Sequence, residues 1–373
     1  MMTEFLMPKF WESAESHVAS PPGEDTPGLR EFVRLELGER GWCFFSTSGT
    51  EGARKWAGLT KEALLTSARA VNAHYDITER DHWLLALPTH HVGGFGVLAR
   101  SFASGSNVTQ LEGKWDARAF VQCCEKVGAT LVSLVPTQVF DLVAATLAAP
   151  KALRVVLVGG GAMSPEVEQA ALQLGWPLRR TFGMTETASQ IASQREAHGE
   201  MEVLPIWSLQ TEDESVLRVR GAALAAGYAL YADGAWRWQA IPVTEGLRTR
   251  DRVSLRHADG RTFLRFLGRE AGVVKILGEL VALAPVQQCI DDLKLSLSLA
   301  HGDAAVCDLP DERQENKLIL AVSGLTPTQA TLLQTRHNAA VPPLQQLSET
   351  RIVAAIPRSD LGKIRLHELR GLL

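Results

Sequence analysis

The apolar positions of the chain follow two rhythms that alternate over its first half. Leu29, Phe32, Val33 and Leu37 fall at helical spacing, and Thr26 ahead of Pro27 predicts a capped helix over 27–40. The short apolar run 42–45 predicts a strand, followed by a polar glycine-rich turn. From there, predicted helices at 59–75, 93–103, 117–127, 137–146 and 166–175 interleave with predicted strands at 83–87, 108–111, 130–135 and 154–158. Strands that alternate with helices imply parallel sheets covered on both faces. Residues 1–28 read as a short helix and a linker punctuated by Pro21, Pro22, Gly23 and Pro27.

Beyond residue 200 the rhythm changes. Short alternating runs at 216–220, 236–239, 252–256 and 262–267, with Gly and Asp turns between them, predict a small β-rich subdomain. A glycine-flanked hinge at 268–272 separates it from strands at 273–277, 304–307, 318–322 and 351–355. The expected architecture is α/β: a large domain, 1–268, with parallel-rich sheets flanked by helices, then a small mobile α+β domain, 269–373. Tandem repeats and low-complexity tracts are absent from the sequence.

Composition narrows the function. The 373 residues carry 38 Lys plus Arg against 42 Asp plus Glu, a net charge of −4, which excludes the global basic field of a nucleic-acid binder. No stretch approaches the ~18 uninterrupted apolar residues of a membrane span. Five cysteines without C-x-x-C spacing argue for a reducing compartment, with neither a structural zinc site nor a disulfide framework. The first residues carry acids and only a short apolar patch, unlike a signal peptide. A cytoplasmic protein is the expectation. Association with further copies of the chain stays open.

Three segments could carry chemistry. The first is STSGTEGARK, 46–55, where small and hydroxyl-bearing residues precede Lys55. Bare backbone N–H groups and hydroxyls suit phosphate oxygens, although a mobile polar turn has the same composition and the Walker A pattern is unmatched. The second, 153–175, is strand, GGG turn and helix; it lacks the third glycine and the later acid of a dinucleotide site. It could admit a flat heterocycle or be a tight βα turn. The third, RTFGMTETASQ at 180–190, gathers Thr181, Thr185 and Glu186 beside Gly183. A hydroxyl and a carboxylate suit a Mg²⁺-bound phosphate, or equally a helix start. His90-His91, Asp251 and Lys363 are weaker signals. No G-x-S-x-G or HExxH motif occurs.

The order of these segments is more informative than any one of them. The hydroxyl-rich loop with Lys, PTHH, the GGG turn, FGMTE, TRD, GR and a C-terminal GK together resemble the acyl-adenylate-forming (AMP-binding) superfamily over about 45–365. Within it, SLVPTQ (133–138), VLVGGGAM (156–163), FGMTETASQ (182–190) and TRDR (249–252) are most similar to the o-succinylbenzoate–CoA ligases of menaquinone synthesis.

The resemblance implies roles residue by residue. Ser46, Thr47, Ser48, Gly49, Thr50, Gly52 and Lys55 would hold the ATP β- and γ-phosphates. Gly159, Gly160, Gly161 and Ala162 would sandwich adenine with Phe182, beside Gly183. Thr185 would touch the α-phosphate and Glu186 would hold Mg²⁺. Asp251 would bind the ribose hydroxyls, and Arg269 would lie near the nucleotide. Lys363 would bridge the substrate carboxylate and the AMP oxygens, and His91, Val92, Gly93 and Gly94 match the acyl-pocket segment.

The implied reaction is an ATP-dependent ligation of a small carboxylate to CoA, with 2-succinylbenzoate the expected acid. Alternatives are another aryl- or acyl-CoA ligase, an adenylation domain loading a separate carrier protein, and a non-catalytic nucleotide-binding paralogue. Lys363, Glu186 and Asp251 argue against the last. Three positions depart from the family pattern: the phosphate loop begins as early as Ser46, Ala271 replaces the acidic hinge residue, and Arg250 replaces a glycine before Asp251.

Overall fold

The computed structural model describes residues 2–21, 26–47, 55–269, 272–360 and 362–373. The chain divides into two compact units. The first holds 1–134, 149–160 and 176–267; the second holds 135–148, 161–175 and 268–373.

The first unit opens with a 3-10 turn, Met2–Leu6, helix α1 (Pro8–Glu12), strand β1 (His17–Ala19) and helix α2 (Leu29–Phe32). Then come β2 (Trp42–Thr47), β3 (Lys55–Thr60), α3 (Lys61–His74), β4 (His82–Leu85), α4 (Val92–Ser104), β5 (Asn107–Gln110), α5 (Ala117–Val127) and β6 (Leu131–Leu134). Helices α6 (Pro136–Ala144) and α7 (Pro165–Gln173) belong to the second unit, while β7 (Val155–Val158) and β8 (Leu178–Phe182) return to the first. Strands β4 to β8 pair in parallel, as the alternation predicts, in the order β8-β7-β6-β4-β5.

The later strands extend both sheets. β9 (Ala192–Gln194), β10 (Met201–Val203), β11 (Trp207–Thr211), β12 (Val216–Gly221), β15 (Leu247–Ala258) and β16 (Arg261–Arg269) carry the parallel sheet on to eleven strands. β13 (Gly227–Ala232) and β14 (Ala235–Ala240) complete a five-stranded sheet, β1-β2-β3-β13-β14. In the second unit, β17 (Val273–Ile276) pairs with β18 (Glu279–Ala282). Helix α8 (Leu283–Ser296), β19 (Asp303–Asp311), β20 (Glu315–Ser323), α9 (Pro327–Ala340), β21 (Leu347–Ile352) and α10 (Leu366–Leu372) follow.

Local chemistry explains where the predicted elements hold and where they shift. Helix α5 keeps its expected bounds because Asp116 accepts from the Ala119 N–H at 2.8 Å and Gly128 ends the helix at φ 63°. The predicted helix 27–40 is shorter. Gly28, at φ 75°, stands at its start in place of a Thr26 cap, and the helix widens to a π turn over Val33–Leu37. Helix α3 begins at Lys61, two residues after the expected start, capped by Thr60. The residues before it are strand β3, which the pattern conceals because Gly58 sits mid-strand. A Cβ there would lie 2.9 Å from both the Phe44 and Trp238 rings, so glycine is required.

Strand β1 was likewise hidden in the expected linker; it pairs in parallel with β2, His17 opposite Cys43. The His17 ring stacks on Phe95 at 5.6 Å, and burial, then Arg30 and Lys61, lower its pKa to about 4 from 6.5. The unfolded chain therefore takes up a proton at His17 before the folded one does. This stabilisation is complete above pH 6.5, declines as pH falls, and levels off below about 4. Full loss is on the order of 3 kcal/mol. Urea unfolding at pH 7 and pH 4.5 should show a larger stability loss in the wild type than in His17→Phe. Equal losses would assign His17 no part in the pH dependence.

Candidate active site

Strands β2 and β3 form an antiparallel hairpin in which Thr47 stands opposite Lys55, and the Thr47 hydroxyl donates to the Lys55 carbonyl at 3.3 Å. Ser46, Thr47 and Lys55 thus lie together where β2 ends and β3 begins. Ser48, Gly49, Thr50 and Gly52 lie outside the described residues. Strand β13 pairs with β3, placing Tyr228 opposite Ala57 and Leu230 opposite Lys55. Tyr228 and Lys55 are therefore diagonal neighbours on one face, with the ammonium 5.9 Å from the ring centroid.

The Tyr228 hydroxyl donates to Glu186 Oε1 at 2.9 Å. Burial and then the adjacent carboxylate raise the phenol's pKa well above its ordinary value, so it stays a donor. Among the described residues, the other Glu186 oxygen takes no hydrogen bond. A half-buried carboxylate with one oxygen held by a neutral donor and one available fits a hard divalent cation on a phosphate.

Glu186 reaches this position through the turn after β8. Gly183 has no room for a side chain: its Cβ would lie 1.9 Å from the Ser189 carbonyl. Thr187 accepts from the Met184 N–H at 3.1 Å, and the Glu186 carbonyl accepts from Ala225 at 2.7 Å. Thr185 opens the 3-10 turn Thr185–Thr187 and is half-buried. At 159 a Cβ would meet the Thr181 hydroxyl at 2.4 Å, so a larger residue there would force that side chain to shift. Gly160 turns at φ 81°. Phe182 meets Phe266 with ring centroids 5.6 Å apart.

Asp251 is buried on β15, on the same side as Thr249 and Val253. Thr249 fixes the backbone there: its hydroxyl donates to Leu217 O at 2.9 Å and accepts from Asp251 N at 3.1 Å. Arg250 is exposed by the same alternation. Gly161, Ala162, Arg269 and Lys363 belong to the second unit. Glu270 and Ala271 lie outside the described residues. Lys363 is exposed on a tight loop whose ends meet through Ser359 N to Lys363 O at 2.8 Å. Arg358 braces the loop, forking Asp303 at 2.8 and 2.6 Å and donating to Gly362 O at 2.6 Å.

The segment expected at the acyl pocket begins with His91 as the N-cap of α4 and buried Val92. Gly93 sits near Leu87, and a Cβ on Gly94 would lie 2.3 Å from Pro88 O, so the helix packs directly onto backbone. Two turns further lies a residue the sequence reading passed over. Arg100 is 2% exposed; its guanidinium donates to Ser133 at 3.4 Å and Ser189 at 3.1 Å and lies 5.8 Å from the Trp83 ring centroid. Among the described residues no carboxylate pairs with it. Burial lowers its pKa to about 10, which still leaves it cationic at neutral pH. The available signal was a lone cation in a helix otherwise built of apolar and small residues.

A family description, AMP-binding enzyme, matches residues 41–211, which contain the hairpin, α4, the GGG turn and the Glu186 turn. That stretch, residues 41–211, is of the AMP-binding enzyme family. Curated relatives of this AMP-binding enzyme include the probable 2-succinylbenzoate–CoA ligase of Mycobacterium tuberculosis, 28% identical over 86% of this chain and 81% of the relative. The 2-succinylbenzoate–CoA ligase of Bacillus pumilus is 26% identical over 87% of this chain and 68% of its own length. The fold matches o-succinylbenzoate CoA synthetase of Bacillus subtilis in complex with its acyl-adenylate intermediate. That match has a TM-score of 0.72 at 22% identity, covering 88% of this chain and 68% of that one.

Glu186→Gln should abolish most of the Mg²⁺ dependence of ATP binding, and Tyr228→Phe should weaken it by about tenfold through the lost carboxylate support. Calorimetric titration of ATP with and without Mg²⁺ checks both. An unchanged Mg²⁺ effect in Glu186→Gln would reduce that carboxylate to a turn residue.

Proposed function

We propose that this AMP-binding enzyme adenylates 2-succinylbenzoate with ATP and transfers the acyl group to CoA, the reaction named for its curated relatives. Arg100 carries the choice of acid. Burying a guanidinium costs several kcal/mol unless an anion offsets it, and among the described residues Arg100 meets two hydroxyls and an aromatic face. A carboxylate from the substrate would complete the pairing. A substrate with two carboxylates can give one to Arg100 and the other to the chemistry, while its ring lies among apolar and small residues.

The reaction follows from charge. A carboxylate oxygen attacks the α-phosphorus of ATP and pyrophosphate leaves, so two anions must approach each other. Lys55 at the hairpin and Lys363 on the second unit are the cations that would offset this repulsion. Glu186, steadied by Tyr228, would hold Mg²⁺, which supplies charge neutralisation on the phosphates. Thr185 would donate to the α-phosphate, Asp251 would accept from the ribose hydroxyls, and Gly159 would let adenine lie against bare backbone near Phe182. The CoA thiolate then attacks the acyl carbonyl of the mixed anhydride, forming the thioester and releasing AMP.

ATP–pyrophosphate exchange across a panel of carboxylic acids tests the substrate. 2-Succinylbenzoate should give the highest kcat/KM, with acids lacking the second carboxylate lower by about 100-fold or more, because they leave Arg100 unpaired. Arg100→Lys should erase most of that preference. A simple fatty acid as best substrate would overturn the dicarboxylate assignment and leave the ligase reading in place. Separately, Lys363→Ala should cost about 3–4 kcal/mol in adenylation, the scale of one lost electrostatic stabiliser. Thioester formation from supplied acyl adenylate should suffer far less, and equal losses in the two half-reactions would remove Lys363 from the adenylation step.

A further inference from the structure

Helix α4 has two working faces. At 100° per residue, Gly93, Gly96 and Arg100 fall on one side, and Phe95, Leu98 and Phe102 on the other. The first face carries the glycines and the buried guanidinium. The second is covered largely by the first nineteen residues of the chain. Phe95, fully buried, is surrounded by Phe5 at 5.1 Å, Trp11 at 5.9 Å and His17 at 5.6 Å between ring centroids, with Phe45 of β2 at 5.2 Å. Trp11 also stacks on Phe102 at 5.5 Å.

This segment is held at points independent of α4. The Lys61 ammonium donates to Ser13 O at 2.8 Å and lies 4.3 Å from the Phe10 ring centroid. Gly41 N donates to Ala14 O at 2.8 Å, and β1 pairs with β2. Inside the segment, the Trp11 indole N–H donates to Phe5 O at 2.7 Å. A 3-10 turn and a five-residue helix are too short to persist alone, so their order depends on these contacts.

We propose that residues 2–19 form a backing plate that fixes α4 against the acyl site, with Trp11 as its positioning residue. The proposal rests on the reading of α4 as the acyl-site helix. A helix pressed from one side by an aromatic cluster presents Arg100 and the glycine face at a set depth; loosening the cluster lets that face recede. The coupling is reciprocal, so substrate held on the Arg100 face stabilises the segment behind it.

Steady-state pyrophosphate exchange on the full chain tests this. Trp11→Ala should raise the KM for the carboxylate about tenfold while the KM for ATP stays within about twofold, because a small displacement acts on the acyl side alone. Trp11→Phe should restore most of the loss. Leu29→Ala, in a separate core cluster, should lower thermal stability without this split. If Trp11→Ala does not fold, Phe10→Leu at the half-buried edge of the cluster should show the same split at smaller amplitude. In the wild type, 2-succinylbenzoate with ATP should slow amide exchange over 5–19.

An unchanged carboxylate KM in the folded variant, or an equal rise in the KM for ATP, would overturn the proposal. So would exchange at 5–19 that ignores the substrate. The substrate reading fails separately. If Arg100→Lys leaves the KM for the dicarboxylate unchanged while Trp11→Ala raises it, the backing plate stands and the Arg100 assignment falls.

Discussion

The turn from Gly183 to Gln190 is the constraint on which the first unit's chemistry depends. Its two ends come together because Gly183 has no side chain and the Ser189 carbonyl occupies the space a Cβ would take. Ile191 N then donates to Phe182 O at 2.7 Å, closing the turn across the base of β8 and β9. The turn carries local strain: Ala188 and Ser189 sit at φ 49° and 97°, a region side chains disfavour. Outside groups hold it there. Ser67 donates to Ala188 O at 3.0 Å, and the Trp207 indole donates to Gln190 O at 2.9 Å.

That closed turn presents two side chains of opposite purpose. Glu186 projects toward the Tyr228 hydroxyl and the Lys55 face, while Ser189 accepts from Arg100. One loop of backbone therefore sets both an anionic oxygen and the hydroxyl that meets a buried cation. Neither charge is neutralised by a partner of opposite sign among the hydrogen bonds described. Each is tolerated because neutral donors or acceptors hold it in place, which keeps both ready for a charged ligand.

The supports behind the site are apolar on one side and polar on the other. Phe95 and its ring cluster carry α4 from behind, whereas Thr249 locks the backbone of Asp251 through Leu217. In the second unit, the Lys363 loop relies on Arg358, which ties Gly362 O to the Asp303 carboxylate. In both polar cases a neighbouring side chain holds the backbone from which the candidate residue projects. Mutations at those neighbours are therefore expected to act through geometry rather than through chemistry.

The sequence by itself determined the elements whose signals are local. Asp116 and Gly128 bound α5, and the parallel strands follow from apolar runs between helices, whereas the strand expected at 252–256 extends back to Leu247 and takes in Asp251. The ordered motifs also marked Lys55, Gly183, Glu186 and Lys363 as candidates, and at Gly183 the structure shows the close backbone approach that restricts residue type. What the tertiary structure alone decided rests on contacts distant in sequence. β3 was hidden because Gly58 is chosen by the rings of Phe44 and Trp238, and β1 exists only as a partner for β2. Tyr228 meets Glu186 from 42 residues away, and Arg100 meets Ser189 from 89. A lone tyrosine or arginine has no local spacing to betray such a role; its partner is fixed only when strands and turns from separate parts of the chain pack together.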